Sequence, residues 1–198
     1  MSQYLRKLYS IYASAFLAGL CISIGGTVNL KMGGVVGPIL FSFGLITVVH
    51  YGFKLYTGTA GFIQNGKDFV NMLHILIGNI VGCWVTGQLI ALACPDITTT
   101  AEIIIRNRMS ASWFSLLILG GGCGFIMTTA VKFSRQGNWL PLLFGVPVFI
   151  MCGFYHCIAD AFYYCLVSFQ YILNPTYLLI VLGNFIGCNL TRTLYKEV

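Results

Sequence analysis

Apolar residues run along this chain in long unbroken stretches, at residues 8–28, 34–63, 69–94, 110–131, 138–172 and 175–193. The runs lack the ten-residue alternation of a membrane barrel, so they predict helices. One crossing needs about 20 residues. The second and fifth runs are too long for a simple crossing, and tilt absorbs only a few surplus residues. Both carry interruptions near the middle. The second holds "KLYTGTAG" (54–61), with two glycines and a lysine, and the fifth holds Pro141, Pro147, Gly153 and His156. Both are therefore expected to be broken helices.

The chain also repeats itself. "IGNIVGC" (77–83) lies in the third run and "LGNFIGC" (182–188) in the sixth. Runs 1–3 and 4–6 thus read as two copies of one unit, about 8–94 and 110–193. Three crossings per copy is an odd number, so the copies must face opposite ways. The expected fold is an all-α membrane protein of six transmembrane helices in two inverted three-helix repeats, a single channel domain over 1–198. Interrupted segments at matching places in inverted halves point to a transport site where they meet.

Composition agrees with a membrane protein. The chain is 58% hydrophobic and 8% charged, with a mean hydropathy of +0.85, against about 25% charged residues in soluble domains. Arg6 and Lys7 precede the first run, which spans a bilayer and ends in no clear cleavage site, so it is read as a span and not a removable leader. Few residues precede it, leaving little room for a long gating helix. Arg6, Lys7, Lys67, Lys132, Arg135, Arg192 and Lys196 fall on one side, and Lys31, Arg106 and Arg108 on the other. This bias predicts an inner (plasma) membrane protein with both termini cytoplasmic, and it accounts for most of the net charge of +6. Charges scattered over short loops do not suit nucleic-acid binding. Seven of the eight cysteines fall inside runs and Cys94 at a run end, none in a CxxC pair. They read as small apolar residues, with no metal or cofactor implied. The glycines, including "GGG" (120–122), suit close helix packing.

Ionisable groups inside a span cost several kcal/mol and mark candidate sites. Here they are Lys54, Asp160, His50, His74 and His156. His156 stands out because it sits at the expected break of run 5, and an imidazole both donates and accepts protons near neutral pH. Thr57, at the break of run 2, either caps the helix that resumes there or bonds the imidazole; the two roles are compatible. Helix N-termini converging at that point favour a small anion. Asp160 is expected to pair with Lys54. A neutral-solute channel would need two Asn-Pro starts, and only Asn174-Pro175 is present. A redox enzyme would rest on His50 and His74 alone, without a catalytic cluster.

Several of these stretches resemble the formate/nitrite transporter family. "GLITVVHYGFKLYTGTAGF" (44–62) resembles the segment leading into that family's first broken helix. "CGFYHCIADAF" (152–162) resembles its second signature, SGF-H-IAN-F. The two Gly-Asn-x-x-Gly elements and "FLAGLCISIGG" (16–26) fit as well. The resemblance covers nearly the whole chain and implies an aquaporin-like homopentamer in membrane lipid, one pore per protomer. It implies passage of small monovalent anions such as formate, nitrite, hydrosulfide, acetate or lactate, coupled to protons, without enzymatic chemistry. It places the central histidine on His156, the loop threonine on Thr57, apolar rings on Phe41, Leu45, Leu55, Tyr56, Met127 and Phe149, the outer-vestibule lysine on Arg108 and a pore asparagine on Gly124. The chain departs from the pattern elsewhere. Lys54 and Tyr155 stand where glutamate is common, and Asp160 and Thr59 where asparagine is.

Overall fold

In the computed structural model, which describes residues 2–194, the four runs of ordinary length form continuous helices: α1 (Gln3–Met32), α4 (Gly66–Ala93), α6 (Trp113–Arg135) and α9 (Pro175–Leu194). Each is long and apolar enough to cross a membrane. Their starts are set by local chemistry. Ser2, Asn65 and Ser112 accept from the backbone N–H three residues on, at 3.3, 3.0 and 3.1 Å, which satisfies an otherwise orphaned donor. Pro175, which has no N–H to lose, opens α9.

The two long runs are split. The second becomes α2 (Val36–His50) and α3 (Tyr56–Ala60), and the fifth becomes α7 (Leu140–Met151) and α8 (Cys157–Val167), followed by a 3-10 turn over Phe169–Leu173. The interruptions lie at 51–55 and 152–156. The glycines of "KLYTGTAG" therefore fall within or just after the resumed helix, and Pro147 sits inside α7 without ending it. Gly52, just before the expected stretch, and Gly153, one of the expected interruptions, make the breaks, at φ 68° and 70°. In the first break, Gly52 N–H donates to the Val49 carbonyl and Phe53 N–H to Val48. In the second, Gly153 N–H donates to Ile150 and Phe154 N–H to Phe149. This is the same glycine-terminated helix end in both halves. A methyl group on Gly153 would meet nothing within 4 Å, so Gly153→Ala tests backbone strain alone. It is expected to cost about 1–2 kcal/mol and to lower the unfolding midpoint of the micelle-solubilised protein.

The continuous helices pair tightly, α1 with α4 and α6 with α9. Gly19, Gly82, Gly124 and Gly187 carry these contacts. A Cβ at any of them would lie under 3.0 Å from partner backbone, so only glycine permits the approach. Corresponding residues of these pairs are 105 positions apart, as Gly19 is from Gly124 and Gly82 from Gly187. Gly124 thus faces the backbone of Asn184 on α9, which corrects its expected place as a pore position.

Residues 95–109, expected to be a connection between spans, hold most of a further helix, α5 (Ile97–Ser110), which rests on α8 and α1. Its polar face hid it among the apolar runs. Lys7 shares a cavity lining with Gln64 and Asp68, and Arg192 donates to the Ile63 carbonyl. The described ends of the chain therefore lie at one face, called here the terminal face. Lys196 lies outside the described residues. Lys31, Asp96, Glu102 and Arg106 gather at the opposite, far face.

Candidate functional site

The two short helices start where the halves meet, and one asparagine braces each start. Asn79 on α4 accepts from Tyr56 N–H at 2.9 Å and donates to the carbonyls of Ala15 and Lys54 at 2.8 and 2.9 Å. Asn184 on α9 accepts from Cys157 N–H at 3.0 Å and donates to the carbonyls of Gly120 and Tyr155 at 3.0 and 2.7 Å. These are the asparagines of the two Gly-Asn motifs. The motif was visible in the sequence, but not its task of feeding hydrogen bonds to a helix that begins inside the protein.

Two thiols add a link across the halves. Cys83 approaches the Ile158 carbonyl at 3.4 Å, and Cys188 the Thr57 carbonyl at 3.5 Å. Each cysteine sits on a long helix of one repeat and reaches a short helix of the other.

Leu55 and His156 precede α3 and α8 in equivalent extended positions. The symmetry breaks in their side chains. The His156 Nδ1 accepts from Ala159 N–H at 3.1 Å, capping α8. A neutral ring then carries its hydrogen on Nε2, which lies 3.1 Å from Thr57 Oγ1. Thr57 thus meets the imidazole, while α3 begins without a side-chain cap. The His156 ring also stacks on Phe149, with centroids 5.5 Å apart and planes at 24°. Phe149 in turn meets Phe41 edge-on at 6.2 Å. Phe41, Leu45, Leu55, Tyr56, Met127 and Phe149 are all buried in one cluster. The Tyr56 hydroxyl donates to the Val181 carbonyl at 3.2 Å and so adds no free polar group there.

The expected Lys54–Asp160 pair does not form. Asp160 is buried on the first turn of α8, and its Oδ1 accepts from Arg108 Nε at 3.2 Å. The Arg108 guanidinium lies 3.9 Å over the Tyr155 ring. Helix α5, absent from the sequence reading, carries Arg108 to this place. Three departures from the family pattern, at positions 108, 155 and 160, therefore act as one unit: the arginine stacks on the tyrosine and neutralises the aspartate. Lys54 is exposed near the terminal face and lines a cavity of about 290 Å³ that reaches Leu45 and Leu55.

The remaining histidines are not part of this site. His50 packs with Tyr51 and Trp139, and His74 Nδ1 lies 2.8 Å from the Tyr12 hydroxyl. Asn174 caps α9 by accepting from Thr176 N–H at 3.0 Å, so its Asn-Pro pair is a helix start away from the convergent breaks.

Comparison with known proteins is consistent across sequence and fold. The family model described as formate/nitrite transporter matches residues 1–196. Formate channel FocA of Haemophilus influenzae is 26% identical over 188 residues, covering 79% of this chain and 66% of the relative. A formate-nitrite transporter of Entamoeba histolytica is 25% identical over 221 residues, covering 92% and 61%. The chain thus spans slightly under two thirds of the length of these relatives. A solved structure described as a pentameric formate channel with formate bound superposes with a TM-score of 0.82 at 19% identity, covering 96% of both chains. An FNT family ion channel superposes with the same score at 18% identity, covering 96% of this chain and 91% of that one.

Proposed function

The chain belongs to the formate/nitrite transporter family, and on that premise we propose that it passes small monovalent weak-acid anions of the formate, nitrite, hydrosulfide, acetate or lactate class across a membrane. The observation that carries this reading is the single imidazole, buried against Phe149 and bonded to Thr57, at the point where the two broken segments converge.

A bare anion at this waist would lose its hydration among aromatic and aliphatic side chains, at a cost of many kcal/mol. Protonation removes most of that cost. With Nδ1 occupied by the Ala159 amide, the Nε2–H donates to Thr57 Oγ1. The threonine hydroxyl then keeps its own hydrogen for a group in the passage. An anion that accepts this hydrogen bond takes a proton from water polarised there, the hydroxide left behind being reprotonated from the entry-side solution, and crosses as the neutral acid. It releases the proton on the other side, so one anion and one proton move together. The assembly proposed is a homopentamer in membrane lipid, with both termini in the cytoplasm.

His156→Asn tests this reading because asparagine also caps helices and so preserves the start of α8 while removing the titratable ring. Formate and nitrite flux into liposomes is expected to fall at least tenfold, equivalent to about 1.4 kcal/mol or more, and to lose its dependence on external pH. Flux of undiminished size and pH dependence would overturn the role given to the ring. His156→Ala is expected to lose in addition about 1 kcal/mol of stability from the missing cap, read as a lower unfolding midpoint than that of His156→Asn.

A further inference from the structure

The two mouths of the protein carry their charge differently. At the far face each cation has an acidic partner: Lys31 with Asp96 at 3.5 Å, Arg106 with Glu102 at 3.4 Å and Arg108 with Asp160 at 3.2 Å. At the terminal face the described cations are Arg6, Lys7, Lys54, Lys67, Lys132, Arg135 and Arg192, and the one described acid is Asp68. Lys54 is set apart from the others by its position. It immediately precedes Leu55, and its backbone is held on both sides, its N–H by the Ser14 hydroxyl at 3.0 Å and its carbonyl by Asn79 at 2.9 Å. Its side chain lines two cavities that also share Thr59 and Phe62, one of about 290 Å³ reaching Leu45 and Leu55 and one of about 580 Å³ containing Lys7, Gln64 and Asn71. Among the described residues its ammonium has no ion-pair partner.

We infer that Lys54 forms an anion-binding site at the terminal-face mouth of the passage, holding a small monovalent carboxylate or oxyanion just before the apolar neck. This deepens the transport reading and rests on it only for the fate of the bound anion. A cation without an ion-pair partner in a concave, partly apolar site focuses its field on the space in front of it. Lys7 and Arg135 add to that field, and Arg135 is held over the Phe62 ring at 3.7 Å. Asp68 on the same lining disfavours a second negative charge on the ligand. Thr59 does not serve as a donor, because its hydroxyl hydrogen goes to the Leu55 carbonyl at 2.8 Å. At the far face the described cations, Lys31, Arg106 and Arg108, are each paired with an acid, so the two mouths differ in their hold on the same ion.

The test is saturable line broadening of ¹³C-formate by the purified protein in detergent micelles, for wild type, Lys54→Gln, Lys54→Arg, Lys54→Glu and Lys67→Gln, all checked for matching elution and melting. Lys67→Gln removes the same charge from the same face outside both cavities. Lys54→Gln is expected to raise the half-saturation concentration about fivefold, in the range of a partly exposed ion pair. Lys54→Glu should abolish saturation, whereas Lys54→Arg and Lys67→Gln should leave the wild-type value. Added salt should bring wild type towards Lys54→Gln. A wild-type constant in Lys54→Gln, an equal shift in Lys67→Gln, or no saturable broadening in wild type overturns the site. Formate flux measured on the same preparations separates the two readings. Broadening that depends on Lys54 without any flux removes the transport reading and leaves the site, while flux with unchanged binding in Lys54→Gln removes the site alone.

Discussion

Asn184→Ala is expected to destabilise the protein by about 3–5 kcal/mol, because two buried backbone groups at the second break lose their partner together and the bond to the Gly120 carbonyl of α6 goes with them. The Cys157 N–H is the most costly loss. It belongs to the first residue of α8, where no carbonyl of the same helix is available, and Asn184 Oδ1 at 3.0 Å is its acceptor. The carbonyls of Gly120 and Tyr155 lose the donor that ties α6 to the second break. In a membrane no water replaces these bonds. Asn184→Asp does not rescue the loss, since it keeps the acceptor but places an oxygen against the two carbonyls. Asn79→Ala is expected to behave alike through Tyr56, Ala15 and Lys54. Unfolding in a mixed-micelle denaturant series measures the effect. A change under about 1 kcal/mol, the value of one ordinary hydrogen bond, would show that the asparagines do not brace the breaks.

The second large effect is expected from Arg108→Met. It leaves the carboxylate of Asp160, 1% exposed, without its cation. Removing one partner of a buried pair costs about 3–5 kcal/mol, whereas replacing both is often neutral. Arg108→Met with Asp160→Asn is therefore expected to recover most of the stability lost in Arg108→Met alone. The coupling energy from the double-mutant cycle, read from the same unfolding series, should reach about 2–3 kcal/mol. Additive single effects would mean that Arg108 stabilises α5 through its stacking on Tyr155 and not through the charge.

Much of the fold was legible in the residues because the bilayer imposes a local rule. Each crossing must satisfy its own backbone, so the length of an apolar run reports a span or, when too long, a broken one. The paired Gly-Asn motifs disclosed the repeat. A second repeat was equally available and went unread: "YGFKLYTGTA" (51–60) and "CGFYHCIADA" (152–161) align at an offset of 101, with Gly52 and Gly153 in register. It would have moved the first break from 54–61 to Gly52, and singled out Gly153 over Pro141 and Pro147 within the second. Helix α5 escaped because its mixed polar face matches neither a span nor a turn, and with it went the partner of Asp160. Lys54 and Asp160 looked complementary only because both lay near a break.

By itself, the order of residues determined six crossings, two of them interrupted, in two related halves, since burial of apolar runs and the conformational freedom of glycine act within a few positions of the chain. The tertiary structure alone decided which side chains meet. Thr57 and His156 are 99 positions apart, and Arg108 and Asp160 are 52 apart. Contacts at such separations follow from how closely glycine-lined helices approach and where a surface helix comes to rest, and those distances are set through space by packing.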